Sequence, residues 1–160
     1  MPGRILIAYA SRTNATAQHA GAIAGSLRGL GREIDIVDLR KSGKTDLRDY
    51  DSIVVGPGVR FGRWCGPAKK LLKSKALAGK KIAIFVACGM LADDPKKSGE
   101  AVKNYIDFFA EKYGVKAIST RAFVGFMPDG KSIKLGSASG SRPVDTARSE
   151  VWGRELAEVL

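Results

Sequence analysis

Short apolar runs alternate along this chain with segments of helical periodicity, and this alternation limits the fold more than any other feature. Three runs are continuous and end at glycine or polar residues: I-L-I-A-Y at Ile5–Tyr9, S-I-V-V-G at Ser52–Gly56 and K-I-A-I-F-V-A at Lys81–Ala87. Such runs are typical of strands buried on both faces, as in parallel sheets. The alternating run E-I-D-I-V-D at Glu33–Asp38 predicts a strand at or near a sheet edge, and A-I-S-T-R-A-F-V-G at Ala117–Gly125 predicts a fifth strand.

Helical patterns fill the spaces between the predicted strands. They cover Thr16–Leu30, which stops at Gly31, then Pro67–Lys75, Pro95–Tyr113 and Asp145–Leu160. The alternation predicts an α/β fold, a doubly wound sheet with right-handed crossovers and helices on both faces. Two segments interrupt the rhythm: Arg40–Tyr50 predicts an abbreviated crossover, and Met127–Pro143 predicts a long irregular connection.

Composition indicates one globular unit. The 160 residues are 44% hydrophobic and 27% charged, which suits a single domain over 1–160 with its own core. No apolar run reaches the roughly 20 residues that span a bilayer, and the first residues predict a strand rather than a signal peptide, so we expect a cytoplasmic protein. Cys65 and Cys88 form no CxxC pair and are expected to be reduced thiols, and no metal-ligating constellation is present.

The net charge of +11 indicates an anionic partner, which could be nucleic acid, a phosphorylated ligand or an acidic membrane surface. No nucleic-acid-binding motif accompanies the charge, so nucleic acid is not the expected partner. Basic residues are most concentrated in one segment, which we interpret as a solvated helix face and the loop that follows it: Lys69, Lys70, Lys73, Lys75, Lys80 and Lys81.

Three unusual loops should meet at one edge of such a sheet, because ligands bind beyond the carboxyl ends of parallel strands where the strand order reverses. The first loop, S-R-T-N-A-T, offers three hydroxyls (Ser11, Thr13 and Thr16) at a helix N-terminus, which suits a phosphate group. Asn14 stands where a tight loop needs positive φ, a conformation that asparagine tolerates better than most residues. Taken alone, the loop fits an ordinary helix cap equally well.

The other two loops favour a ligand over a cap. G-P-G-V-R-F-G-R-W-C-G combines glycines with Phe61 and Trp64, which could stack on a planar ring, and with Arg60 and Arg63, which could face an anionic one. For Trp64 alone, packing on the following helix is the simpler interpretation. The loop A-C-G-M-L-A-D-D-P opens with Cys88 and a glycine that would let a ligand approach the backbone closely. All three loops together predict phosphate binding at the first.

These residues resemble a known family. S-R-T-N-A-T after I-L-I-A-Y is similar to the flavodoxin phosphate loop T-x-T-G-x-T, with Asn14 in place of the glycine. G-V-R-F-G resembles the flavin-side loop of the branch that includes menaquinone-dependent protoporphyrinogen oxidase, and V-D-T-A-R-S-E-V-W resembles the entry to that branch's last helix. The resemblance implies a flavodoxin-like five-stranded parallel sheet in the order 2-1-3-4-5 and FMN as the cofactor. Met127–Pro143 departs from the branch, which has a longer, more basic and aromatic segment there.

The resemblance also assigns a cofactor site by position. It implies that the FMN phosphate is held by Ser11, Arg12, Thr13, Asn14, Ala15 and Thr16. It places the isoalloxazine ring between two groups of residues, which are Pro57, Gly58, Val59, Arg60, Phe61 and Gly62 on one side and Ala87, Cys88, Gly89 and Met90 on the other. No catalytic residue is assigned, and His19 is expected to be a surface or boundary residue of the first helix.

Three functions fit these observations. The first is an FMN-dependent oxidoreductase, similar to protoporphyrinogen oxidase, that passes electrons from an organic donor to a quinone or similar acceptor. In it, Arg60 and Arg63 would raise the flavin potential above that of acidic flavodoxins. The second is a flavodoxin-type electron carrier, and the third a module that binds polyanions without flavin. A basic surface also allows peripheral contact with an anionic membrane, and no oligomeric state follows from the sequence.

Overall fold

A five-stranded parallel sheet forms the centre of the molecule. The computed structural model describes residues 3–10, 14–42, 45–60, 63–88, 98–125 and 144–160. The strands in these ranges, five in the main sheet and two in a separate hairpin, are β1 (Ile5–Tyr9), β2 (Ile34–Asp38), β3 (Ser52–Gly56), β4 (Val59–Arg60), β5 (Arg63–Trp64), β6 (Lys81–Cys88) and β7 (Ala117–Val124). The sheet has the order β2-β1-β3-β6-β7, and all its neighbouring strands are parallel. The predicted order is confirmed, since β6 and β7 are its fourth and fifth strands.

The remaining two strands were not predicted. β4 and β5 pair antiparallel as a small hairpin outside the main sheet, in the connection that follows β3. The glycine-rich loop expected there is therefore partly ordered as a β-ribbon. β2 lies at one edge of the main sheet, as its alternating pattern predicts, and its Ile36 is exposed.

Five α-helices connect and cover the strands in the described part of the chain. They are α1 (Ala15–Gly29), α2 (Gly66–Leu72), α3 (Ser98–Val102), α4 (Phe108–Lys112) and α5 (Ala147–Val159). A 3₁₀ turn follows α2 at Lys75–Leu77, and a π-helical turn at Lys103–Asp107 joins α3 directly to α4. We call the continuous helical stretch 98–112 the α3–α4 rod. The helix predicted over Pro95–Tyr113 corresponds to this rod, and its first residues, like Met127–Pro143, lie outside the described residues.

The helices form one layer on each face of the sheet, and the alternation of side chains in β1 shows how. Leu6 and Ala8 point into a core shared with α2 and the α3–α4 rod, whereas Ile5 and Ile7 point into a core shared with α1 and α5. All four side chains are at most 1% exposed. A strand buried on both faces needs apolar residues at every position, and β1 has them.

Gly31 ends α1, as the sequence predicts. Its φ of 81° lies in the left-handed region, where glycine carries no Cβ penalty. Its amide donates to the Arg28 carbonyl at 3.0 Å, and the Arg32 amide donates to the Leu27 carbonyl at 3.0 Å. These bonds satisfy carbonyls that the last helical turn leaves without partners, so the chain reverses here and enters β2.

Candidate cofactor site

The carboxyl edge between β1 and β3 is the switch point of the sheet. β2 lies on one side of β1 and β3 on the other, so the connections that follow these two strands leave in opposite directions. The Ala10 amide, just after β1, donates to the Gly56 carbonyl at the end of β3 over 2.9 Å. A crevice at such a point is where doubly wound sheets bind ligands.

Asn14 opens α1 in a left-handed conformation. Its φ is 67° and its ψ −4°, and it is the one non-glycine residue with positive φ in the described ranges. Its side chain makes no capping hydrogen bond to the helix, and the Gln18 amide bonds to its carbonyl at 3.1 Å. Asn14 therefore has the positive φ that the sequence analysis expects at this position, and its side chain does not cap the helix.

The first turn of α1 suits an anion. The opening amides of a helix have no acceptor within the helix, and the helix dipole places partial positive charge there. The first turn of α1 contains no acidic residue that would offset this charge. Ala15 and Thr16, both buried, lie in this turn directly after Asn14.

Gly58 brings the three predicted loops together. It forms a parallel bridge with Ala87 near the end of β6. A Cβ atom added to Gly58 would lie 2.6 Å from the Ala10 carbonyl oxygen and 2.9 Å from the Cys65 sulfur. Real Cβ atoms do not approach backbone oxygens so closely, so this position requires glycine. The chain after β1, the chain after β3 and the end of β6 are thus packed against one another at a single residue.

The β4–β5 hairpin places two arginines opposite each other. Val59 pairs with Trp64 and Arg60 pairs with Arg63 in the antiparallel register, and the Cys65 amide closes the ribbon on the Gly58 carbonyl at 2.9 Å. Arg63 is exposed. Both positions of this backbone pair are basic in sequence.

Trp64 is part of the core and not of the site. Its side chain is 3% exposed, its ring lies 5.2 Å from that of Phe109, and its indole N–H donates to the Tyr105 carbonyl. The sequence analysis expects Trp64 to pack on the following helix, α2. Trp64 shares a core cluster with Ala68 of α2, but its ring and hydrogen-bond partners, Phe109 and Tyr105, lie on the α3–α4 rod.

His19 corrects an expectation. It is fully buried, whereas the sequence analysis placed it at the surface or the boundary of α1. Its Nε2 lies 2.7 Å from the Val124 carbonyl oxygen and its Nδ1 2.9 Å from the Ser149 hydroxyl, and its ring stacks on Phe123. The signal that could have placed it inside is its spacing, since the apolar stripe Ala20, Ile23, Ala24 and Leu27 extends backwards through His19 and Thr16.

Burial favours the neutral form of the His19 imidazole. The pKa of its imidazole is lowered from the usual value of 6.5, chiefly because burial disfavours the charged form, although the Val124 bond and the charge of Asp145 oppose this effect. A carbonyl oxygen can only accept, so Nε2 carries the proton in the neutral ring. The single Ser149 hydroxyl hydrogen has two acceptors at 2.9 Å, which are the Thr146 carbonyl oxygen and the His19 Nδ1. Tyr9, at the end of β1, has a raised pKa because of its burial and then the nearby Asp38.

The structure describes part of the predicted FMN site. Seven of its residues are described in full: Asn14, Ala15, Thr16, Pro57, Gly58, Val59 and Ala87. Arg60 and Cys88 are described in their backbone positions. The other predicted residues lie outside the described ranges: Ser11, Arg12, Thr13, Phe61, Gly62, Gly89 and Met90. Sequence reasoning did not include Ala10 and Cys65, which contact Gly58 and whose role becomes visible only when the loops are packed together.

Comparison with known proteins assigns the family. Residues 6–127 match the flavodoxin domain. The chain belongs to the flavodoxin domain family. Flavodoxin 1 of Bacillus cereus matches with a TM-score of 0.64 and 21% identity, covering 98% of this chain and 99% of that one. A flavodoxin of Streptococcus pneumoniae TIGR4 matches with a TM-score of 0.63 and 20% identity, covering 98% and 99%. At these identities the two structures support the fold.

One protein that is similar in sequence is named as an enzyme. The chain is 22% identical over 103 residues to protoporphyrinogen IX dehydrogenase [quinone] of Escherichia coli K12. The alignment covers 64% of this chain and 57% of the relative, so this flavodoxin domain corresponds to little more than half of that protein's length. The match relates the domain to an oxidoreductase as well as to the flavodoxins.

Membership of the family implies FMN as the cofactor, and the described residues fit it. Asn14 has the positive φ expected where the family's phosphate loop has glycine, and the first turn of α1 is free of acidic residues. Gly58 holds the connection after β3 close to Ala10 and Ala87. None of the helices in the described part of the chain is long and apolar enough to cross a membrane.

Proposed function

We propose that this FMN-binding redox protein holds its cofactor at the carboxyl edge of β1, β3 and β6. In this proposal the segment from Ser11 to Thr16 binds the phosphate. The segment from Pro57 to Gly62 and the segment from Ala87 to Met90 lie on either side of the ring. The single observation that carries the proposal is the packing of Ala10, Cys65 and Ala87 around Gly58. It brings the residue that precedes the first segment together with residues of the other two segments at the switch point.

The protein's own contribution is binding, orientation and electrostatics. The bound flavin supplies the transfer of electrons or hydride. The α1 amides and hydroxyls hold the phosphate, and the β4–β5 ribbon positions the ring-side segment. Arg60 and Arg63 place positive charge on that ribbon, which favours a reduced, anionic ring and raises its potential. The chain's net charge of +11 acts in the same direction.

We further propose that the protein is an oxidoreductase that passes electrons from an organic donor to a quinone or a similar acceptor. The name of the Escherichia coli relative, protoporphyrinogen IX dehydrogenase [quinone], supports this direction of transfer. A flavodoxin-type carrier is the second candidate, favoured by the match to flavodoxins over 98% of the chain. One experiment distinguishes the oxidoreductase from the carrier. An enzyme oxidises protoporphyrinogen IX with a soluble quinone as sole acceptor, whereas a carrier exchanges electrons only with partner proteins.

FMN reconstitution of Gly58→Ala tests the site. The added Cβ collides with the Ala10 carbonyl and the Cys65 sulfur, so the three segments cannot keep their packing. We expect the dissociation constant for FMN, measured by quenching of flavin fluorescence, to rise at least tenfold, which corresponds to about 1.4 kcal/mol.

Gly66→Ala is the matched control. Gly66 lies on the same connection, and a Cβ atom there meets nothing within 4 Å. It should bind FMN like the unmodified protein. Equal affinities for the two variants, or no flavin uptake by the unmodified chain, would refute the proposed site.

A further inference from the structure

A long stretch of the chain carries positive charge alone. Between Asp51 and Asp93 the sequence contains no acidic residue. It contains eight basic ones, which are Arg60, Arg63, Lys69, Lys70, Lys73, Lys75, Lys80 and Lys81. The two arginines belong to the β4–β5 hairpin at the carboxyl edge of the sheet, and the lysines follow on α2 and beyond it. The proposed cofactor site includes none of these lysines.

The fold gathers the lysines into one surface with residues from another part of the chain. The ammonium of Lys73, at the end of α2, lies 5.2 Å from the centre of the Tyr113 ring, and that of Lys112, at the end of α4, lies 5.7 Å from it. Lys81 and Lys116 immediately precede Ile82 and Ala117, which are neighbours in the register of β6 and β7. We call this surface the lysine face; it comprises Lys69, Lys70, Lys73, Lys75, Lys81, Lys112 and Lys116.

The charge of the lysine face is not neutralised within the described residues. The four ion pairs found in these ranges all use arginines, which are Arg4 in two pairs and Arg48 and Arg121 in one each. Lys70, Lys73, Lys75, Lys81, Lys112 and Lys116 are exposed, which agrees with the solvated surface that the sequence predicts. Exposed like charges gathered on one face repel one another, and binding of an external anion reduces that repulsion.

The lysine face is separate from the cofactor site. Parallel strands bind ligands beyond their carboxyl ends, whereas Lys81 begins β6 and Lys116 precedes β7, at the amino edge of the sheet. α2 begins beside Gly58 and ends at this opposite edge, where the 3₁₀ turn with Lys75 follows. An extended anion on the lysine face therefore leaves the carboxyl edge open to electron donors and acceptors.

We propose that the lysine face docks the protein on an anionic lipid bilayer. Lysine ammoniums are point charges on flexible stems, and they bind a sheet of lipid phosphates without requiring a fixed geometry. Single-stranded nucleic acid instead favours open aromatic rings on which bases stack. The ring in this face, Tyr113, is half-buried and has two lysine side chains beside it. The lysine face also consists of helix ends and strand starts, and it presents no recognition helix that could enter the major groove of DNA.

Vesicle sedimentation tests the proposal. The full chain is mixed with vesicles of phosphatidylcholine alone or with 30% phosphatidylglycerol, at low and at high salt, with and without FMN. We expect binding to the anionic vesicles only, loss of binding at high salt, and no dependence on FMN. The triple variant Lys70→Gln, Lys73→Gln, Lys112→Gln should bind the anionic vesicles roughly a hundredfold more weakly, since each lysine near such a surface contributes about a fivefold factor.

A second triple variant, Lys41→Gln, Arg148→Gln, Arg154→Gln, removes the same charge from exposed residues outside the lysine face. It should keep most of the binding. Equal losses in the two variants would show that net charge alone matters and would overturn the proposal. So would the absence of binding to anionic vesicles, or tighter binding to an RNA or DNA duplex that depends on the same three lysines.

Discussion

At the scale of single residues, Asn14 combines an unusual backbone conformation with a place in the proposed phosphate loop. It adopts φ 67° at the start of α1, in a region that costs an ordinary L-residue roughly 1–2 kcal/mol. Asn14→Ala and Asn14→Gly both remove the side chain, but only glycine accepts this conformation without cost. We expect Asn14→Ala to lower the free energy of unfolding by about 1 kcal/mol relative to Asn14→Gly and to bind FMN more weakly. Urea unfolding and flavin titration of the two variants check this, and equal values would contradict it.

His19 makes stability depend on pH. The pKa of its imidazole is lower in the folded than in the unfolded protein, so the unfolded chain takes up the proton first as the pH falls. The contribution of the neutral, buried ring is complete above pH 6.5 and is lost as the pH falls from there through the lower folded pKa. We expect the free energy of unfolding to decline over this range.

The chain has one histidine, so its imidazole can be followed without overlap by NMR. His19→Gln, whose amide can donate and accept but does not titrate, is the control and should remove the decline between pH 6.5 and about 5.5, above the range of ordinary carboxyl groups. A profile for His19→Gln as steep as that of the unmodified protein would show that another group is responsible.

At the scale of elements, the crossing of α1 and α5 depends on Gly153. A Cβ atom added there would lie 2.8 Å from the Ser26 Cβ and 3.0 Å from the Ile23 carbonyl oxygen. Gly153→Ala should therefore push the two helices apart and destabilise the protein by about 1–3 kcal/mol. Thermal unfolding monitored by circular dichroism measures the effect.

The same substitution at Gly21 should have the opposite sign. Gly21 is exposed in α1, and a Cβ atom there meets nothing within 4 Å. Alanine raises helix propensity at such a position, so Gly21→Ala should stabilise the protein by about 0.5–1 kcal/mol. If both substitutions changed stability alike, the close contact at Gly153 would not be what fixes the α1–α5 crossing.

At the scale of the whole molecule, we expect the positive charge to raise the reduction potential of the bound FMN above that of acidic flavodoxins. Arg63→Gln should lower it by on the order of 20 mV, which is a Coulomb effect of about 1 kcal/mol on a two-electron couple. Arg154→Gln on α5 is the control of equal charge and should change it less. A potential as low as that of acidic flavodoxins would refute this expectation.

The elements differ in how far local sequence could predict them. The strands β1, β3 and β6 could be predicted from their continuous apolar runs, because such a run is visible in the local sequence without knowledge of the neighbouring strands. The end of α1 follows from Gly31, and the left-handed start from the place of Asn14 in its loop. The β4–β5 hairpin was missed because its strands are two residues each, too short to show a period. The prediction that His19 lies at the surface or boundary was wrong because it relied on the residue type alone. The burial of His19 depends on hydrogen bonds to Ser149 and Val124, which are more than a hundred residues away in the chain.

The sequence by itself determined the kind of fold and the loops that could hold a ligand, since both depend on local periodicity and on residue types at the ends of runs. Only the tertiary structure decided which residues meet. It placed Gly58 against Ala10, Cys65 and Ala87, and it joined Lys73 to Lys112 around Tyr113. These contacts link segments that are distant in the chain, and they depend on the register of parallel strands and the packing of helices across the sheet, which no local pattern records.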